Sequence, residues 1–211
     1  MKTNEEKNNR LYKEVWGIPN VIKANCYVFA LAPSLGPGGY NTRRKYKARP
    51  GDLCVNFRNK PIDFTKCSDI VERVLCDNRQ YVRKLSTYTN PLARLSKGYH
   101  MIAAILSPGI HTDFHFLRRI PVRVVYENLP NFIKTSMGTN AIDQLLKGSY
   151  EYVWVHQRGW SSGGPLIHDA NGNLITDPKT ASFDYGSLNY SIYCGLFQVK
   201  TRYAKVYDYI K

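Results

Sequence analysis

No two of the cysteines form a CxxC pair, so the closely spaced thiolates that close the tetrahedral shell of a zinc ribbon are missing. The five that exist, Cys26, Cys54, Cys67, Cys76 and Cys194, are an odd number. At least one thiol is therefore left free, and a reducing compartment, or a particle assembled inside one, is favoured. Long apolar runs are also lacking: the best, around residues 99–106 and 189–199, are short and contain polar side chains, so no membrane span is expected. Residues 1–10 are charged and without the apolar stretch of a secretory signal, which leaves an intracellular setting as the expectation. The glycines of residues 33–39 lack the Gly-Lys-Ser/Thr ending of a phosphate-cradling loop, and no HExxH helix occurs. Acidic residues are scarce, 16 against 30 Lys and Arg, giving a formal charge of +14.

An excess of that size points to a polyanionic neighbour, whether nucleic acid, an acidic lipid surface or an acidic protein. The densest basic run is Arg43-Arg44-Lys45-Tyr46-Lys47-Ala48-Arg49, which could grip phosphates or stand as a solvated loop. Aromatic and basic residues interleave again over residues 202–209, a mixture that suits protein interfaces and single strands of nucleic acid alike. With 43% hydrophobic and 13% aromatic residues, the 211-residue chain can bury one sizeable core. A charged tail over residues 1–20 followed by a single domain over 21–211 is the expected organisation; oligomeric state is not legible.

Along the chain, residues 25–32 read as a short buried helix stopped by Pro33. Pro50-Gly51-Asp52 is a turn into a strand at 53–57, and Ser68 or Asp69 caps a helix running to about Leu85, with Ile70, Val71, Val74 and Leu75 on one face. A strand at 99–106 ends at Ser107-Pro108-Gly109, and the next begins near Phe114. Thr139 and Gly148 bracket a short helix, residues 151–156 form a strand, Asn171-Gly172 marks a hairpin, and residues 189–201 close the chain as a long strand. Helices thus crowd the first part and strands the second, which fits an α+β domain with an antiparallel sheet, residues 122–150 being an insertion on it.

A thiol attacks as thiolate, and a helix N-terminus, where Cys26 falls, lowers its pKa through free N–H groups and partial positive charge. It also needs a base, itself oriented on its other nitrogen. In Asp113-Phe114-His115-Phe116 the aromatics alternate with His115, so Phe114 and Phe116 would bury on one face while His115 meets, on the other, a helix packed on the sheet. Asp177, at the end of the strand after the hairpin, is the expected orienter of His115, with Asp169 the alternative. The N–H of Cys26, with Asn25 or Asn20, would hold the oxyanion, and Tyr27 and Trp160 are candidate walls of the substrate pocket. His156 and His168 are the reserve bases; His168 adjoins Asp169, but neighbours on a strand point to opposite faces. The site would use no cofactor. A competing metal site at His111, Asp113 and His115, with His100 nearby, has alternating ligands but a loop where a helix is needed.

The order Asn25-Cys26-Tyr27-x-Phe29-Ala30, then Pro50-Gly51-Asp52-Leu53, then Asp113-Phe114-His115-Phe116 resembles papain-like hydrolases of the NlpC and CHAP kind. The resemblance implies a papain-like α+β fold with the cysteine helix packed on an antiparallel sheet, and cleavage of amide bonds, in many members those of peptidoglycan peptides. A closer likeness is to bacterial, phage and large-DNA-virus proteins. It is carried by Asn25-Cys26-Tyr27, Phe114-His115-Phe116, Gly159-Trp160, the run from Asp169 through Gly172 and Ile175 to Asp177-Pro178, and Cys194-Gly195-Leu196-Phe197. Two departures stand out: Ser161-Ser162-Gly163-Gly164 replaces the histidine and lysine of those relatives, and residues 122–157 are longer than their counterpart. The expected function is a thiol peptidase or amidase working through a thioester on a peptide or protein. The alternative is a catalytically silent binding or structural protein on the same fold, such as a minor component of a virus particle.

Overall fold

The computed structural model describes residues 25–31, 48–157 and 165–201. Asn20, Trp160, Gly159, residues 161–164, the tail over 1–20, and most of the two basic-aromatic segments lie outside the described residues.

The helix α1 (Cys26–Leu31) begins where expected because Asn25 caps it: the Asn25 Oδ1 accepts the Val28 N–H at 3.0 Å and its main-chain carbonyl accepts the Phe29 N–H at 2.9 Å. All six of its residues are buried. A helix so short is marginal by itself and takes its stability from that packing. Next, α2 (Cys67–Asp77) buries Ile70, Val71 and Val74. It stops well before Leu85: the Asn78 carbonyl turns to accept the N–H groups of Tyr81 and Val82, and the chain enters β1 (Val82–Lys84). The strand expected at 53–57 is a series of turns. Gly51, at φ +95°, starts them, Cys54 N–H returns to the Gly51 carbonyl, and a disulfide ties Cys54 to Cys76 on α2.

The long strands are β2 (Tyr99–Ser107), β3 (Asp113–Pro121), β4 (Tyr152–His156) and β5 (Ile192–Lys200). With β1 they form one antiparallel sheet in the order β1-β5-β2-β3-β4. The segment expected as an insertion is helical: α3 (Val122–Glu127), α4 (Leu129–Thr135) and α5 (Ala141–Lys147) lie between β3 and β4. The division into an early helical part and a late stranded part is therefore corrected, while the α+β class with an antiparallel sheet stands. The Asn171-Gly172 hairpin reduces to a single bridge, His168 with Leu174, and Leu166 just before it bridges to His156 of β4.

One face of the sheet carries Ile102, Ala104, Phe114, Phe116, Ile120 and Val153 and is covered by α1, α2 and the three inserted helices. The other carries Met101, Ala103, Ile105, Leu117, Trp154 and Leu196 beneath the loop that contributes Ile175 and Phe183. Pairing of β2 with β5 slips between Ala104 and Ile105: Ala104 faces Gly195 and Ile105 faces Tyr193, so Cys194 is an extra, unpaired residue. Gly195 supplies the φ of +112° that this bulge requires. Cys194 is bonded to Cys67 on α2. Four of the five cysteines thus pair and Cys26 alone is free. The thiol left over by the odd count is Cys26. Among the described residues no helix is long and apolar enough to cross a membrane.

Candidate active site

Cys26 is buried, and its Sγ–H donates to the carbonyl of Phe114 at 3.6 Å. The register of β4 explains why that carbonyl is available. Trp154 and His156 give their N–H groups to Ile175 and Leu166, away from β3, so β3 must present the main-chain groups of Phe116, Arg118 and Ile120 to β4. Phe114 belongs to the same series, but pairing with β4 ends at Leu117. The thiol meets β3 on this uncovered edge, against the peptide that joins Phe114 to His115.

The aromatic alternation has the consequence expected for Phe114 and Phe116, whose rings touch Tyr27 on α1 at centroid distances of 6.5 and 4.9 Å. It reverses the expectation for His115. The helix lies on the phenylalanine face, and the His115 ring is on the opposite side, with Tyr190 at 5.1 Å and Phe183 at 6.1 Å.

Among the described residues no carboxylate is bonded to the His115 ring. Its Nε2 lies 2.8 Å from Nδ1 of His156, and His156 Nε2 lies 2.9 Å from the main-chain carbonyl of His168. A carbonyl can only accept, so His156 carries its proton on Nε2 and, when neutral, accepts on Nδ1. His115 must then donate from Nε2, which places the lone pair of its neutral ring on Nδ1. The chain of three groups fixes the tautomers of both rings.

Asp177 and Asp169 serve their own loops. Asp177 Oδ1 accepts the Lys179 N–H at 2.8 Å. Asp169 accepts the N–H groups of Asn171 and Asn173 on Oδ1 and that of Ser182 on Oδ2, which knots the loop covering the sheet. Neither is bonded to His115, so both orienter assignments give way to His156. His156 had been read as a reserve base; the signal for its true place is that it ends an alternating strand next to the one that carries His115. His168 contributes its carbonyl, its own Nδ1 being engaged with the Asp169 carbonyl at 2.9 Å.

Asn25 is also reassigned. Its Oδ1 caps α1 and its Nδ2 donates to the Ala48 carbonyl at 2.9 Å, so the side chain is committed to structure and not to an oxyanion. Tyr27 is a core residue, 1% exposed, with its hydroxyl donating to Asp77 Oδ2 at 2.8 Å, and it cannot wall a pocket. The proposed metal ligands do not converge. His100 bonds the Ala30 carbonyl and Thr201, Asp113 accepts from Tyr190 at 2.8 Å, and among the described residues no three His, Cys, Asp or Glu side chains gather.

Burial, with the Asp113 carboxylate adding to it, pushes the Cys26 thiol up to about 12, against the opposing pull of the N–H groups of Phe116, Tyr27 and Cys26 itself. The expected lowering at the helix start is present and is outweighed. On the His115 face a cavity of about 190 Å³ opens between Ile105, Phe183, Tyr190 and Tyr193, with Lys179 and Asp184 at its rim.

Comparison of the chain with known protein families, with curated proteins and with solved structures gave no match.

Proposed function

We propose that this chain is a papain-like cysteine hydrolase of amide or isopeptide bonds, with Cys26 as nucleophile, His115 as base and then acid, and His156 as the residue that positions His115. The observation that carries this reading is the hydrogen-bond chain from the His168 carbonyl through His156 to His115. The single free thiol touches the carbonyl of Phe114, and the residue that follows it in the chain, His115, turns its ring to the other side of the strand. For the reaction the thiol and the imidazole, which lie on opposite sides of β3, must meet around its uncovered edge; there Sγ attacks the substrate carbonyl as its proton passes to His115 Nδ1. The imidazolium, held through Nε2–H by His156, then protonates the departing amine, and water activated by the same ring hydrolyses the thioester. Because the resting thiol is protonated, its proton moves during attack and not beforehand. A peptide lying along the cavity beside Tyr190 and Phe183 would approach from the side on which His115 sits.

The test is labelling by an electrophilic peptide probe together with hydrolysis of a panel of peptide and peptidoglycan-derived amides. Labelling and turnover lost in both Cys26→Ala and His115→Ala support the assignment. Absence of Cys26-dependent turnover overturns it. One observation favours a second reading, a silent binding protein on the same fold: the thiol is buried, protonated and already bonded to a main-chain carbonyl. Labelling that requires Cys26 but is indifferent to His115 would select it.

A further inference from the structure

At the opposite end of the sheet, where β1 forms its edge, a second cavity of about 180 Å³ is lined by Arg79, Gln80, Tyr81, Arg83, Tyr99 and Gln198, among others. We propose that it binds single-stranded nucleic acid, the two guanidinium groups taking phosphates and the Tyr99 ring receiving a base. The proposal is independent of the hydrolase reading and involves none of its residues.

The register assembles the site. Gln198 is paired with Arg83 on one side and Met101 on the other, which places Arg83, Gln198 and, two residues before Met101, Tyr99 on the same face of three neighbouring strands. Tyr81 is fixed where its carbonyl accepts the Lys200 N–H at 2.7 Å. Arg79 and Arg83 are exposed, no acid lines the cavity, and neither guanidinium is in an ion pair with a described residue. The other arginines of the same stretch show the contrast: Arg73 is bonded to Asp69 at 2.8 Å and Arg94 to Glu151 at 2.9 Å. A charged edge strand also deters edge-to-edge pairing, which accounts for Arg83 and Lys84. It does not account for Arg79 and two tyrosines sharing one concavity. An acidic protein would need only the cations; planar guanidinium forks beside aromatic rings match a phosphate chain with unstacked bases.

The test is fluorescence anisotropy of the full chain with a labelled 20-mer of thymidylate between 50 and 200 mM salt. Loss of two phosphate contacts in Arg79→Gln/Arg83→Gln should lower the salt slope by about 1.4 and weaken binding about 25-fold at 0.1 M salt. Tyr99→Leu should weaken binding with the slope unchanged. The control Lys60→Gln/Lys134→Gln removes the same charge from two exposed lysines elsewhere and should change binding less than about 2-fold at that salt. Equal weakening by both double variants, unchanged binding in Arg79→Gln/Arg83→Gln, or competition by polyglutamate as effective as by unlabelled oligonucleotide each overturns the proposal.

Discussion

Replacing His156 by leucine removes two hydrogen bonds from a site that water does not reach freely. His115 is 2% exposed and His156 fully buried, so the Nε2–H of His115 would be left with no replacement for the 2.8 Å acceptor it has now. The carbonyl of half-buried His168 would lose its 2.9 Å donor as well. An orphaned buried donor costs about 1–3 kcal/mol, and a partly wetted carbonyl adds about 1 more, for a total of roughly 2–4 kcal/mol. That is a large share of the stability of a domain of this size, which is about 5–15 kcal/mol. Glutamine at the same position can accept with its oxygen and donate with its nitrogen, so His156→Gln should lose no more than about 1 kcal/mol. Urea denaturation of the three proteins, followed by circular dichroism, measures the difference as a shift in midpoint at unchanged slope. Leucine and glutamine variants that unfold within about 0.5 kcal/mol of each other would refute the buried bond between the two imidazoles. The tautomer assigned to His115 would go with it.

Three further outcomes are expected. With its thiol held up at about 12, Cys26 in the folded protein should react with iodoacetamide at pH 8 roughly a thousandfold more slowly than a free cysteine; Asp113→Asn removes the charge that assists burial and should speed the reaction. The same shift has a sign for stability: a thiol protonated in the fold and ionisable when unfolded favours the fold below about pH 8.5, and this advantage falls by about 1.4 kcal/mol per pH unit above it. Cys26→Ala should flatten the loss of stability with pH in that window, and a slope unchanged by the substitution would contradict the burial. The disulfide between Cys67 and Cys194 spans 127 residues and that between Cys54 and Cys76 spans 22, so loop entropy gives about 5 and about 3 kcal/mol respectively; double serine variants should rank in that order in urea, and the reverse order would count against a chain-entropy origin.

Much of the scaffold could be read from residue pattern. Asn25 before an apolar run gave the start of α1, Pro108-Gly109 gave the break between β2 and β3, and Thr139 to Gly148 contained α5. The misses have a common cause, in that distant partners decided the outcome. Val82 to Lys84 is a strand because β5 pairs with it, where local pattern alone extended α2 through the same residues. Residues 53–57 are held as turns by a bond to α2. In the site, Cys26 and His115 were visible as residue types in suitable local settings. The face on which α1 lies depends on packing, and the contact of His115 with His156 in place of Asp177 depends on a strand register of which the chain shows only the alternation that ends at His156.

The slipped pairing in β5 makes that strand sensitive to a gain in length but not to the loss of its extra residue. Beyond it, Leu196 shares a side of the sheet with Tyr193 although three positions separate them, while Cys194 and Phe197 look toward the helices. Deleting Gly195 would straighten the strand and leave the sides of everything before it as they are, because Cys194 would then face Ala104 while Tyr193 still faced Ile105. The covalent tie to α2 would keep its direction, and Tyr193 would stay in the wall of its hollow. A codon gained there would do the opposite: unless a wider bulge took it up, it would turn Cys194 and Tyr193 over together and strike the anchorage of a helix and the opposite face at once.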